Sequence, residues 1–242
     1  MAGIEGILFD LDGTLALTEF QRNRPANEMV AADHGARIDP SDWTFLAGTS
    51  EKAIWEHLCK TFNGFAAKLT ERQYTDLVEQ RFITNMHKVE IRPGMKEIFA
   101  HAANNNVPMA TATNSPRDLA HATLRHTGQD ASMKAVVTKC DILAVNGKGK
   151  PHPDIFLMAA AKIGAKPENC VYFEDSRNGT YAALQALNSN NKPGSGIVIQ
   201  IIDAHDEHQV VPETHSYVSR PGQIVHVRSQ EQLIQAAQRY IR

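Results

Sequence analysis

The stretch that most constrains this chain is residues 4–14, where a short apolar run stops abruptly at Asp10-Leu11-Asp12-Gly13-Thr14. Near-continuous apolar character over so few residues fits a strand buried on both faces, and the Asp-Gly pair then turns the chain. In parallel α/β sheets, ligands bind at the carboxyl ends of strands, so two carboxylates here stand where a site is expected. Asp10 can attack phosphorus as a nucleophile. Asp12 can protonate a leaving oxygen and then deprotonate water. The alternatives are a calcium loop or a plain turn. A calcium loop needs further oxygen ligands at fixed later positions, and Leu15, Ala16 and Leu17 supply no side-chain oxygen.

Similar apolar runs recur at residues 107–112, 135–138, 170–173 and 196–202, with a last short one at 224–227. Helical patterns lie between the later runs. In residues 153–164, Phe156, Ala159, Ala160 and Ile163 share one face, with Pro153 before the start and Gly164 as the stop. A closing helix is expected over 230–240. Strands alternating with helices indicate a parallel sheet built of βαβ units. Residues 18–89 break the alternation with helical patterns at 28–34, 51–60 and 70–85, and read as an inserted helical cap domain. Trp43, Phe45, Trp55 and Phe62 are expected to form its small core. The α/β core then comprises 1–17 and 90–242, with Arg92-Pro93-Gly94 marking the return to it.

Three further segments stand at strand ends or before helices. The second strand runs into Thr113-Asn114-Ser115, where the Thr113 hydroxyl and the N–H groups of the following helix start suit an anion; a plain helix cap is the alternative. Lys148-Gly149-Lys150-Pro151-His152-Pro153-Asp154 precedes the amphipathic helix, and in isolation it reads first as a solvated Pro-rich loop. A buried strand ends in Glu174-Asp175-Ser176, and adjacent acids there are costly unless they pair or bind a cation. Magnesium takes one or two carboxylates plus phosphate and water.

Residues 9–15 resemble motif I of the haloacid dehalogenase (HAD) superfamily, and the three later segments resemble its other motifs in order and position. The resemblance covers residues 4–20 and about 92–187. It implies a Rossmann-like core with a helical cap, and a phosphatase that uses Mg2+ and an aspartyl-phosphate on Asp10. It implies phosphate binding by Thr113, Asn114 and Lys150, and a metal site made by Asp10, the Asp12 carbonyl, Glu174 and Asp175, with Ser176 and Asn178 orienting the acids. Lys148 is read as a surface residue.

Cap placement and the Glu-Asp-Ser run resemble the group of β-phosphoglucomutase, phosphoglycolate phosphatase and phosphonatase. Asp12 sets the chain apart from dehalogenases and phosphonatases, which lack that acid, and Lys52 is read as a surface residue and not a Schiff-base lysine. A sugar-phosphate mutase is the main rival. Arg22 stands where mutases carry a histidine, and Ala47 and Glu51 stand where they carry basic residues. Leu17 replaces an aspartate that many relatives have. A non-catalytic phospho-ligand binding module is the third reading. Arg22, Thr49 and Ser50 are candidates for selecting the leaving group as the cap excludes water; for Arg22 the alternative is a solvent-facing arginine.

Bulk properties narrow the partners. Across 242 residues, 25 Lys and Arg against 27 Asp and Glu leave a formal charge of −2, with no basic excess to call for nucleic acid. Cys59, Cys140 and Cys170 are widely spaced and fit a reducing cytosol. The start lacks a signal-peptide pattern, and the longest apolar stretch, 155–161, is too short to span a bilayer. A cytoplasmic enzyme is expected, monomer or homodimer, whose partner is a small phosphorylated metabolite and neither nucleic acid nor membrane. Asp203, His205, Asp206 and His208 have metal-like composition but read as a polar surface loop.

Overall fold

The computed structural model describes residues 3–46, 49–192, 194–204 and 207–242. The chain starts with β1 (Gly6–Phe9) and a π-helical turn (Glu19–Asn23) that runs into α1 (Arg24–Asp33). There follow α2 (Trp43–Leu46), α3 (Glu51–Thr61), α4 (Phe65–Lys68) and α5 (Glu71–Asn85). Next come α6 (Met95–Asn104), β2 (Met109–Thr113), α7 (Arg117–His126), β3 (Ala135–Thr138), α8 (Lys139–Leu143) and α9 (Asp154–Ile163). The chain closes with β4 (Cys170–Glu174), α10 (Arg177–Leu187), β5 (Ile197–Ile201), β6 (Ile224–Val227) and α11 (Gln230–Tyr240). Two compact units result: Met1–Ala16 with Ile91–Arg242, and Leu17–Glu90.

The first unit carries a six-stranded parallel sheet in the order β3-β2-β1-β4-β5-β6. The chain fills one side of β1 with β2 and β3, then crosses to the other with β4, β5 and β6. The order therefore reverses at β1, the point in such sheets where a crevice opens. β1 is buried throughout. Its alternating side chains serve two cores: Ile7 and Phe9 pack with Val171, Phe173, Ile98 and Leu233, and Leu8 packs with Ala110, Tyr172, Ile155 and Phe156. Phe9 and Phe173 stack with ring centroids 4.9 Å apart. Each such buried side chain stabilises by about 1.5–3 kcal/mol before the entropy of ordering is counted. This is the α/β architecture that the alternation of apolar runs and helical patterns predicts.

β1, β2 and β5 begin one or two residues later than the apolar runs suggest, and for β2 the reason is plain. The run at 107–112 starts its ladder at Met109, because Pro108 has no N–H to donate; its carbonyl still accepts from the Ile7 amide at 2.9 Å. The strand continues to Thr113, which brings that hydroxyl to the sheet end.

In the second unit, α1 and α5 pack together, and the Tyr74 hydroxyl donates to Asn27 Oδ1 at 2.7 Å between them. Thr70 and Gln73 form a capping box at the start of α5. The ends of the unit are tied by the Leu17 amide, which donates to the Glu90 carbonyl at 2.9 Å. Its buried residues include Val30, Ile54, Leu58, Phe65, Tyr74, Val78 and Phe82, with Trp43 also buried. The expected aromatic core is corrected in part: Phe45 is 56% exposed, and Trp55 and Phe62 are half-buried. Among the described residues, no helix is long and apolar enough to cross a membrane.

Candidate active site

Strand register assembles the site. Phe9 on β1 lies level with Thr111 on β2 and Phe173 on β4, so Asp10 leaves the sheet beside the end of β4 and donates its amide to the Phe173 carbonyl at 3.0 Å. The chain then turns back, with the Gly13 amide on the Ala16 carbonyl at 2.8 Å. Gly13 has φ +86, a conformation that L side chains rarely adopt, and a Cβ there would stand 2.0 Å from Asp175 Oδ2. Glycine thus lets the turn close on Asp175, and the Thr14 hydroxyl donates to Asp175 Oδ1 at 2.8 Å.

Lys150 arrives from the loop before α9. Its ammonium bonds Asp10 Oδ1 and Glu174 Oε1, and its side chain is 4% exposed. The other oxygen of Glu174 accepts from the Asp175 amide at 3.2 Å, the Ser176 amide at 3.1 Å and the Ser176 hydroxyl at 3.0 Å. Ser176 Oγ in turn accepts the Gly179 amide at 3.0 Å and caps α10.

Burial pushes the Asp10 carboxyl up to about 7; Lys150 pulls it down, while Glu174 and Asp12 push it further up. Asp175 is raised well above the carboxylate range by burial, then by Glu174 and Asp10, with Arg92 opposing. Burial works against the Lys150 charge, but Asp10 and Glu174 more than offset it and hold the ammonium protonated. The carboxyl groups of Asp10, Asp12, Glu174 and Asp175 thus outnumber the Lys150 cation. Oxygen atoms of Asp10, Glu174 and Asp175 lie within 4.8 Å of one another. Crowded negative charge presented only through oxygen fits a hard divalent cation such as magnesium.

Asp12 Oδ2 accepts from Ser115 Oγ at 2.5 Å and from Thr113 Oγ1 at 3.3 Å, and Thr113 Oγ1 also receives the Ser115 amide at 3.0 Å. The Asn114 side chain does something else. It clasps the Lys150 backbone, accepting its N–H at 3.1 Å and donating to its carbonyl at 3.4 Å. Asn114 therefore holds the lysine loop against the end of β2.

Asp10, Asp12, Thr113, Lys150, Glu174 and Asp175 are brought together. Ser176 bonds Glu174, whereas Asn178 is exposed. Arg22 is 1% exposed, with its guanidinium 5.1 Å from the Phe82 ring and Nε on Asn23 Oδ1 at 2.9 Å, which corrects the solvent-facing alternative. Thr49 donates to the Leu46 carbonyl at 2.6 Å, and Ser50 caps α3 through the Ala53 amide at 3.3 Å. Ala47 and Gly48 lie outside the described residues, as do His205 and Asp206.

Sequence reasoning missed several contributors. Ser115 and Thr14 were within quoted motifs but carry no signature of their own. Gly179 closes on Glu174: a Cβ there would stand 1.8 Å from its Oε1. Arg92, which the sequence offers as the return to the core, bonds the Gly13 and Thr14 carbonyls and pairs with Asp203, a partly exposed loop residue.

Known proteins share this arrangement of the chain. The family model for haloacid dehalogenase-like hydrolases matches residues 4–187. Protein CbbY of Cereibacter sphaeroides is 32% identical over 197 residues, spanning 76% of this chain and 81% of that protein. Hexitol phosphatase A of Escherichia coli (strain K12) is 29% identical over 193 residues, spanning 75% and 79%. Among solved structures, a HAD family hydrolase from Deinococcus radiodurans R1, with bound phosphate and sodium, has a TM-score of 0.69 at 25% identity and covers 98% of this chain and 96% of that one. The matched span contains every motif gathered at the sheet end, and the chain belongs to the haloacid dehalogenase-like hydrolase family.

Proposed function

We propose that this hydrolase is a magnesium-dependent phosphatase that removes phosphate from a small phosphorylated metabolite through an aspartyl-phosphate on Asp10. The observation that carries the reading is the Lys150 ammonium bonded to Asp10 and Glu174, beside Asp175, at the carboxyl ends of β1 and β4. In the first step an Asp10 carboxylate oxygen forms a bond to phosphorus as the ester P–O bond breaks, and protonated Asp12 gives its proton to the leaving oxygen. In the second step water attacks the same phosphorus, Asp12 takes the water proton, and Asp10 departs as carboxylate. Lys150 neutralises charge on the transferred phosphoryl oxygens, and the Thr113 hydroxyl and the amides at the end of β2 donate to them. Magnesium, held by Asp10, Asp175, the Asp12 carbonyl and Glu174, supplies Lewis-acid polarisation when bound.

The relatives support a hydrolase more than a mutase: one is named a hexitol phosphatase. The mutase alternative is not favoured. A panel of phosphorylated metabolites, assayed with magnesium and with EDTA, tests the reading. Phosphate release that EDTA stops and magnesium restores is expected. Near-normal hydrolysis by folded Asp10→Asn protein would refute the nucleophile assignment.

A further inference from the structure

Arg92 is 7% exposed, so its guanidinium needs a counter-charge and a full set of acceptors. Asp203, just beyond β5, supplies the charge through two bonds, Nη1 to Oδ1 at 2.8 Å and Nη2 to Oδ2 at 2.7 Å. A fork held at both tines has a fixed plane, which aims its remaining N–H groups. They point at the turn after β1: Arg92 Nε donates to the Gly13 carbonyl at 2.8 Å and the Thr14 carbonyl at 3.1 Å, and Nη2 also bonds Gly13. The Arg92 amide adds a bond to the Leu15 carbonyl at 2.9 Å. That same turn holds Asp175, through the Thr14 hydroxyl on Oδ1 and the bare Gly13 Cα against Oδ2.

We propose that Arg92 and Asp203 are positioning residues for the metal: the pair fixes the Gly13–Thr14 turn, the turn fixes Asp175, and the pair thereby sets the affinity for magnesium. The proposal rests on the magnesium phosphatase reading for the identity of the ion, and its test is read from binding.

Magnesium binding to the full chain is measured by calorimetry for the wild type, Asp203→Asn, Asp203→Glu and Arg92→Lys, alongside melting temperature and the magnesium dependence of hydrolysis. Asp203→Asn keeps the shape and removes the counter-charge, and Arg92→Lys keeps the charge and loses the fork. Each is expected to weaken magnesium binding by about 10-fold, the scale for losing a partner that orients a metal ligand. The magnesium concentration for half-maximal activity rises by the same factor, and kcat at saturating magnesium is largely retained. Asp203→Glu restores part of the affinity. A lower melting temperature with unchanged magnesium affinity in Asp203→Asn and Arg92→Lys overturns the proposal, since a merely structural pair behaves that way. Should Asp203→Asn not fold, Arg92→Lys and Asp203→Glu decide the matter by the same readout. Wild-type protein that binds magnesium but hydrolyses no phosphate ester refutes the phosphatase reading and leaves this proposal to stand or fall on binding. Wild-type protein that takes up no magnesium overturns it.

Discussion

Lys150 donates to Glu174 Oε1 at 2.5 Å, with the two side chains 4% and 0% exposed. Glu174 Oε2 is committed as well, to Ser176 and to the Asp175 amide. Glu174 is thus engaged chiefly in holding Lys150 and the start of α10. Among the described residues, Asp175 Oδ1 accepts from the Thr14 hydroxyl, and Oδ2 lies towards the Gly13 Cα.

The two acids are therefore expected to fail differently. Asp175→Asn should weaken magnesium binding by about 100-fold, and Glu174→Gln by about 10-fold, with kcat suffering more in the second because Lys150 loses a charged partner. Calorimetry with magnesium separates the two effects. Equal losses of affinity would mean that Glu174 binds the ion as directly as Asp175.

Gly179 offers a reversal of an ordinary rule. In a helix, Gly→Ala stabilises by about 1 kcal/mol. Here the new Cβ would stand 1.8 Å from Glu174 Oε1, and Glu174 is pinned by Lys150 and Ser176. Gly179→Ala is expected to lower the melting temperature and reduce activity together. A raised melting temperature with normal activity would show that Glu174 can move aside freely.

These relationships also mark what the sequence could show. Asp10, Asp12, Glu174 and Asp175 follow apolar runs that announce strands, and a parallel sheet delivers strand ends to one edge, so their meeting is legible from order alone. The Arg92–Asp203 pair is not, because 111 positions separate its members and Asp203 sits in an irregular loop without periodicity. Gly179 looks like any helix residue until Glu174 is laid against it. In the helical unit, Trp43 and Leu46 lie three apart and share the buried face of α2, so Phe45 between them turns outward. An aromatic residue's presence in the sequence carries no such direction until the helix bounds are known.

Acid should remove one local support away from the site. Asp141 forms a capping box with Thr138 at the start of α8. Burial raises its carboxyl, but bonds from the Thr138 hydroxyl and amide and from Arg117, with the Lys162 charge, outweigh it and leave the group at about 2 against an ordinary 3.8. A depressed folded-state value means that the stabilisation is complete above 3.8 and is lost as pH falls through about 2. Wild type should exceed Asp141→Asn in urea midpoint at pH 6, and the gap should narrow by pH 3. A constant gap across that range would show that the carboxylate charge is irrelevant there.

The proposed general-acid role of Asp12 is one that leaving groups can expose. A general acid matters most when the departing oxygen is a strong base, and its loss typically costs about 10²–10⁴ in rate. An aryl oxygen leaves without a proton, whereas an alkyl oxygen needs one. Asp12→Asn should therefore slow hydrolysis of alkyl phosphates much more than that of an activated aryl phosphate, for which the proposed attack by Asp10 would remain intact. Ser115 Oγ bonds Asp12 Oδ2 at 2.5 Å, so Ser115→Ala should reproduce the same bias in weaker form by freeing the carboxyl. Comparing kcat for alkyl and aryl esters across the wild type and both variants isolates the proton. If aryl and alkyl rates fall by equal factors in Asp12→Asn, proton donation is not what Asp12 contributes, and its bond to Ser115 would have to be read as support for the turn alone.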